Sequence, residues 1–267
     1  MTDRKAVVVG ISGASSSGKT TLARLLRDIF PNTFILHEDD FYKAESELPM
    51  RDGLLDWDCA AAIDIPGMAK ALSYIRQHAT FPPFVDSKED KNSVGQCPVS
   101  DAKREEMRKK VEAWTQSGQP GHDVLLQSQQ GEGLKICLLD GFLLYSREMQ
   151  EVMDQLDVKM FLLVSKAKAT QRREARDGYV TLEGFWKDPP DYVDKIVWPN
   201  YAESHAWLFK KGDVEGELDG AVLEDKEILA QRGQGLDVDM ETTFEWTVNT
   251  LIQQLSRFGK HEEIKTS

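Results

Sequence analysis

The chain predicts a three-layer α/β fold, a parallel sheet covered by helices on both faces, and three observations carry that expectation. Val7-Val8-Val9-Gly10-Ile11 is a continuous run rich in β-branched residues, the pattern of a strand buried on both faces. Ile136-Cys137-Leu138-Leu139 is a second such run. Around them apolar residues recur at helical spacing, and strands that alternate with helices make a parallel sheet whose crossovers cover both faces.

The elements follow in order. Leu22, Leu25, Leu26 and Ile29 mark a helix that Pro31 ends. Residues 33–37 form a short strand. A helix is expected over 64–78, with Asp64 as N-cap and Leu72 and Ile75 on one face. The core signal fades over about 81–133. There Pro82-Pro83, the polar stretch 86–95 and the Gln/Ser/Gly-rich stretch 116–133 read as flexible loops. One helix interrupts them, with Met107, Val111 and Trp114 at i, i+4 and i+7. This region reads as an insertion into a single domain spanning 1–267. The strand 136–139 ends at Asp140, another runs over 160–164, and a helix carrying Arg172, Arg173 and Arg176 follows. Ala221-Val222-Leu223 is expected as a last short strand, and Phe244, Val248, Leu251, Ile252, Leu255 and Phe258 stripe the final helix.

Composition narrows the function. The 267 residues, 40% hydrophobic and 29% charged, suffice for one core and not for two domains of average size. A net charge of −12 argues against a surface for long nucleic acids. It permits a nucleotide, whose phosphates are met by local charges and backbone amides. No run of eighteen apolar residues spans a membrane, and a strand pattern that begins by residue 5 leaves no room for a signal peptide. Cys59, Cys97 and Cys137 fit neither a zinc spacing nor a disulfide framework, which points to a reducing, cytoplasmic compartment. Cys137 reads as a core residue, and the five histidines form no pair at metal-ligand spacing.

Gly13-Ala14-Ser15-Ser16-Ser17-Gly18-Lys19-Thr20 matches the phosphate-loop pattern G-x-x-x-x-G-K-[ST]. Its glycines let successive N–H groups curl inward, its lysine reaches the β- and γ-phosphates, and its threonine hydroxyl meets magnesium. The bare pattern would arise by chance in roughly one chain in a hundred at ordinary glycine usage. A buried strand before it and an amphipathic helix directly after it make chance a poor account.

Phosphoryl transfer to an alcohol also needs carboxylates, which open α/β sheets place beyond the carboxyl ends of their strands. Asp39 and Asp40 follow the second strand, and Asp140 ends the strand 136–139. Each has a plainer reading: an N-cap for a short helix over 41–44, and a turn at Asp140-Gly141. Trp57 and Asp58 could hold a ring and sugar hydroxyls, or be a packed residue beside a cap. Arg172, Arg173 and Arg176 can share one helix edge and serve as a lid over phosphates, or form a solvated face with Glu174 and Asp177.

With these residues in view, the chain resembles nicotinamide riboside kinases, a branch of the uridine kinase-like P-loop kinases. The likeness covers about residues 5–80 and 134–258. It rests on Gly10-Ile11-Ser12-Gly13 leading into Ser17-Gly18-Lys19-Thr20-Thr21-Leu22, on Asp39-Asp40-Phe41-Tyr42-Lys43, and on Trp57-Asp58. Asp140-Gly141-Phe142-Leu143-Leu144 and Val197-Trp198-Pro199 complete it. The resemblance implies a P-loop kinase fold and ATP-dependent phosphorylation of the ribose 5′-hydroxyl of nicotinamide riboside, and of nicotinic acid riboside, with magnesium, in NAD synthesis. The implied partner is a small-molecule nucleoside, and the chain is expected to act as a monomer.

The implied roles attach to single positions. Asp39 is the base for the 5′-hydroxyl and acts with Lys19. Gly13, Ser15, Ser16, Ser17, Gly18, Lys19, Thr20 and Thr21 hold the triphosphate, with Arg172, Arg173 and Arg176 as lid arginines. Asp58 binds the ribose 2′- and 3′-hydroxyls, Trp57 stacks on the pyridinium, and Tyr42 and Asp188 are further substrate contacts. Thr20 and Asp140 hold magnesium; Asp140 stands where the family has a glutamate, and its shorter side chain needs a bridging water. Tyr179, Phe185 and Trp186 are all open as the second stacking aromatic. A uridine/cytidine kinase is the alternative, and a GTPase-type switch lacks its Asn-Lys-x-Asp segment here.

Lys19→Ala is expected to abolish phosphoryl transfer while far-UV circular dichroism stays unchanged. Undiminished turnover in that variant removes the phosphate-loop assignment.

Overall fold

A computed structural model describes residues 5–87, 95–126, 133–176, 178–181 and 184–263. The elements run β1 (Ala6–Gly13), α1 (Lys19–Ile29), β2 (Thr33–His37), a hairpin of β3 (Met50–Arg51) and β4 (Leu54–Leu55), α2 (Ile65–His78), α3 (Asp101–Trp114) and α4 (Pro120–Leu125). They continue with β5 (Lys135–Gly141), α5 (Gln150–Met153), β6 (Val158–Leu162), α6 (Lys166–Glu174) and a hairpin of β7 (Tyr179–Thr181) and β8 (Gly184–Trp186). α7 (Trp198–His205), α8 (Gly220–Asp225), β9 (Ile228–Ala230) and α9 (Met240–Glu263) complete the chain order.

The main sheet has the order β2-β5-β1-β6-β9, and its four pairings are all parallel. Side chains alternate between its faces, as the two-residue period of a strand dictates. Ala6, Val8, Cys137 and Leu139 pack with Met68, Leu72 and Ile75 of α2 on one side. Val7, Val9, Ile136 and Leu138 pack with Leu22 and Leu26 of α1 and Phe244, Val248, Leu251 and Leu255 of α9 on the other. The three-layer expectation is met. Because all five strands run the same way, their carboxyl ends share one edge, and β1, β2 and β5 deliver the phosphate loop, the Asp39 turn and Asp140 to it. Among the described residues, no helix is long and apolar enough to cross a membrane.

The structure corrects several local expectations. Ala221-Val222-Leu223 belongs to α8, and the edge strand is β9. Three apolar residues cannot distinguish helix from strand; the Asp219 carboxylate decides it by accepting from the N–H groups of Ala221 and Val222. The strand expected at 160–164 is β6, two residues earlier at each end. The stretch 116–133 is not all loop: α4 lies within it and buries Val124 and Leu125. Residues 88–94 and 127–132, in the stretches expected to be flexible, lie outside the described residues. Asp64 caps α2 as expected, accepting from the Gly67 N–H at 3.0 Å.

α3 and α4 extend the layer over α1 and α9. Trp114 is their anchor: it meets Phe30 edge to face at 6.2 Å, packs on Gly121 and donates from Nε1 to Ser256 Oγ at 3.0 Å. Trp114→Ala should therefore cost about 3 kcal/mol. The expected outcome is a lower melting temperature with unchanged far-UV circular dichroism below the transition, read by calorimetry and spectroscopy.

Candidate active site

The loop between β1 and α1 is shaped by where its backbone must pass. Gly13 lies at φ 148° and Gly18 at φ 105°, a region that residues with a side chain rarely adopt. A β-carbon at Gly13 would also fall 2.5 Å from the Leu162 carbonyl oxygen, so only glycine lets the loop lie against the end of β6. Ser16, at φ 62°, takes a left-handed conformation at a cost of roughly 1 kcal/mol. Lys19 folds back over the loop and donates from Nζ to the Ala14 carbonyl at 2.9 Å. Burial lowers the pKa of its ammonium group, and Asp140, Asp39 and Glu38 oppose that shift.

Those acidic groups come from the ends of β2 and β5. His37 is paired in register with Asp140, and its Nδ1 lies 2.6 Å from Asp140 Oδ1, both side chains being buried. Burial alone would raise the Asp140 carboxyl; His37, the Thr20 hydroxyl and Lys19 outweigh it and hold the group below the usual carboxylate range. Asp140 Oδ2 is buried with no hydrogen-bond partner. Asp39 and Asp40 sit within a single 3-10 turn, Glu38–Phe41, with no side-chain cap bond at its start. The helix they might have capped at 41–44 does not form, and Asp39 faces the cleft. Glu38, which begins the turn, is buried and pushed up to about 8 by that burial, with Asp39 adding to the shift.

α6 begins with a Ser165 cap and ends at Glu174, so Arg176 lies beyond it and the three arginines do not share an edge. Arg172 donates to the Ser16 and Ser17 carbonyls at 3.2 and 3.4 Å. Arg173 turns inward and is 8% exposed. Its Nη1 and Nη2 meet the two oxygens of Asp58 at 3.0 and 3.2 Å, its Nε meets Asp188 Oδ2 at 2.6 Å, and Nη1 also reaches Ser15 Oγ at 2.8 Å. A guanidinium can be buried only where its forked donors are met, and two convergent carboxylates meet them. Burial raises the Asp58 carboxyl, and Arg173 opposes the rise. Of the acidic neighbours expected on a solvated face, Glu174 is exposed and Asp177 lies outside the described residues.

Aromatic rings close the far wall. Trp57 is 5.2 Å from Tyr42 and 5.6 Å from Trp186, and Phe142 stacks on Tyr42 at 6.3 Å. Trp186 is fixed by its Nε1 donating to Asp188 Oδ1 at 3.0 Å. Of the three open aromatics, Trp186 lines the cleft, Phe185 is 64% exposed, and the side chain of Tyr179 lies outside the described residues. Tyr192 holds the wall in place: its hydroxyl accepts from the Trp57 N–H at 3.1 Å and donates to the Leu55 carbonyl at 2.9 Å.

One cleft of about 900 Å³ gathers these groups. Of the site residues expected from sequence, Gly13, Ser17, Arg172 and Asp188 do not line it, and neither does Asp40, the other candidate carboxylate of its pair. Ser17 and Arg172 instead bound a smaller crevice of about 390 Å³, with Gln231, Leu236 and Met240. Sequence reasoning missed His37, Glu38 and Tyr192. His37 and Glu38 directly precede the Asp-Asp pair at a strand end, a position that invites attention, but their partners follow from strand register. Tyr192 carried no signal.

A phosphate-loop motif that shares its cleft with carboxylates and an aromatic wall is the arrangement of a P-loop kinase for small molecules. No family model matches the chain. It is 35% identical over 252 residues to the nicotinamide riboside kinase of Schizosaccharomyces pombe, spanning 94% of this chain and 99% of that one. It is 31% identical to the enzyme of that name from Saccharomyces cerevisiae and 34% to that from Eremothecium gossypii. Those matches cover 82% and 80% of this chain and 85% and 82% of the relatives. The chain belongs to the nicotinamide riboside kinase family.

Arg173→Ala would leave Asp58 and Asp188 facing each other without their shared cation. A loss of roughly 3 kcal/mol is expected, the cost of breaking a buried pair from one side. Chemical denaturation of the variant beside Arg172→Ala measures it; equal stability of the two would mean that Arg173 is not buried in solution.

Proposed function

We propose that the protein transfers the γ-phosphoryl group of ATP to the ribose 5′-hydroxyl of nicotinamide riboside. The observation that carries this reading is the aromatic wall of Trp57, Tyr42 and Trp186 beside the buried Asp58 carboxylate, in the same cleft as Lys19. A pyridinium ring is flat and cationic, so aromatic faces and nearby carboxylates favour it together. The family to which the chain belongs supports the same acceptor.

In this reading each side chain has one task. The loop amides and Lys19 hold the β- and γ-phosphates. Asp39 takes the proton from the 5′-hydroxyl as the bond to phosphorus forms. Asp58 accepts hydrogen bonds from the 2′- and 3′-hydroxyls, and Arg173, with Asp188 behind it, fixes the Asp58 carboxylate. Arg176, which lines the cleft, offsets charge on the transferring group. Trp57 and Trp186 take the pyridinium ring, and the crevice at Ser17 and Arg172 takes the base of ATP.

Thr20 and Asp140 fit magnesium. The Asp140 Oδ2 is a buried oxygen without a partner, and the Thr20 hydroxyl stands beside that carboxylate. Among the described residues no cluster of three or more His, Cys, Asp or Glu could hold a metal, as suits a cation that takes most of its ligands from phosphates and water. When bound, it would neutralise charge on the β- and γ-phosphates. The reading also makes this a monomeric cytoplasmic enzyme of NAD synthesis.

A panel of nicotinamide riboside, nicotinic acid riboside, uridine and cytidine tests the acceptor. The highest kcat/KM is expected with nicotinamide riboside; a preference for uridine or cytidine would overturn the reading. Asp39→Asn keeps shape and loses basicity, so kcat should fall by ~10²–10⁴ with little change in nucleoside KM. Asp58→Asn should mainly raise nucleoside KM and leave KM for ATP nearly alone. Normal kinetics in both variants would leave the site without its base and its ribose contact.

A further inference from the structure

The end of β2 carries a side chain that none of these roles uses. Glu38 is 0% exposed, and its Oε2 accepts a hydrogen bond from the Leu143 N–H at 3.1 Å. The side chain lies directly across Gly141: a β-carbon there would fall 2.0 Å from Oε2 and 2.8 Å from the Glu38 β-carbon. Glycine is required at 141 for space, since a methyl group and the Glu38 carboxyl cannot occupy the same place. Glu38 Oε1 is buried without a partner. Burying a polar group that is only half satisfied costs stability, so the placement calls for a compensating gain.

That gain lies in what the contact joins. His37 and Asp140 form the last register pair between β2 and β5. Beyond it the chain on one side becomes the turn that carries Asp39, and on the other the segment 141–143 that follows Asp140. The Glu38 carboxyl bridges the two segments one residue past the end of the ladder.

We infer that Glu38 is a positioning residue whose side chain ties segment 141–143 to the Asp39 turn and thereby sets the separation of Asp39 and Asp140. The inference rests on the roles proposed above for those two aspartates. The tie requires an acceptor oxygen at the end of a four-atom side chain and makes no use of a carboxylate charge. Glutamine supplies the same acceptor at the same reach; alanine supplies nothing.

Initial rates at saturating ATP and magnesium, with a melting curve for each protein, test it on the full chain. Glu38→Gln is expected to keep kcat near that of the wild type. Glu38→Ala should lose about 10²-fold in kcat, the scale of a 1 Å misplacement of reacting groups, with nucleoside KM little changed. Gly141→Ala, whose methyl displaces the carboxyl, should show a comparable loss, and the double variant should be no slower than either single one, as for two changes that break one contact. A folded Glu38→Ala with wild-type kcat overturns the proposal, as does a Glu38→Gln as slow as Glu38→Ala, which would assign the charge itself to the chemistry. If Glu38→Ala fails to fold, Gly141→Ala and Glu38→Gln decide: undiminished kcat in the first or a large loss in the second refutes the tie. The comparisons are made with whichever nucleoside the wild type turns over fastest, so a wrong acceptor assignment shows in the panel and not here.

Discussion

The buried guanidinium of Arg173 is the interaction on which the cleft depends. Four segments distant in sequence converge on it: the phosphate loop at Ser15, the connector at Asp58, α6 itself, and the segment after β8 at Asp188. Neither carboxylate would be cheap to bury alone, and the cation between them satisfies both. The arrangement places a fixed charge network between the phosphate loop and the aromatic wall of one cavity. Tyr192 adds a ring 5.5 Å from the guanidinium and a hydroxyl that holds the Trp57 backbone, so the aromatic wall and the charge network share a support.

The sheet provides the second constraint. Parallel strands aim their carboxyl ends at one edge, where ladder hydrogen bonding stops and side chains must take over. At that edge His37 meets Asp140 and Glu38 meets Leu143, each bridging β2 to β5 over more than a hundred residues of sequence. Both contacts lie within the interior, so they act in a medium that strengthens hydrogen bonds and penalises any left unmade. The same edge receives Lys19, whose ammonium balances the local excess of carboxylates.

Away from the cleft, α3 and α4 thicken the layer formed by α1 and α9, with Trp114 filling the gap between them. The Phe30 ring that Trp114 meets follows α1, the helix that grows from the phosphate loop. The long segment between α2 and β5 thus supports the helix that follows the phosphate loop through packing, with no side chain of α3 or α4 lining the cleft.

The sequence by itself determined the elements whose cause is local. Continuous β-branched runs become central strands because both faces must be apolar, and the phosphate loop is legible because its glycines, lysine and threonine are needed at fixed spacing. The stripe of α9 and the cap of α2 are readable for the same reason. Short segments were not: Ala221-Val222-Leu223 suits strand or helix until Asp219 caps it, and α4 hides in a polar stretch until α9 offers a surface for Val124 and Leu125. Composition placed Arg172, Arg173 and Arg176 together, yet only the fold turned Arg173 inward, because the two carboxylates that satisfy it come from residues 58 and 188. The choice of Trp186 over Phe185 for the cleft wall, and the partners of His37 and Glu38, likewise belong to tertiary structure. Hydrophobic period and turn chemistry are properties of neighbours along the chain, whereas the pairing of buried polar groups depends on strand register and on which distant segments the packed core brings within 3 Å.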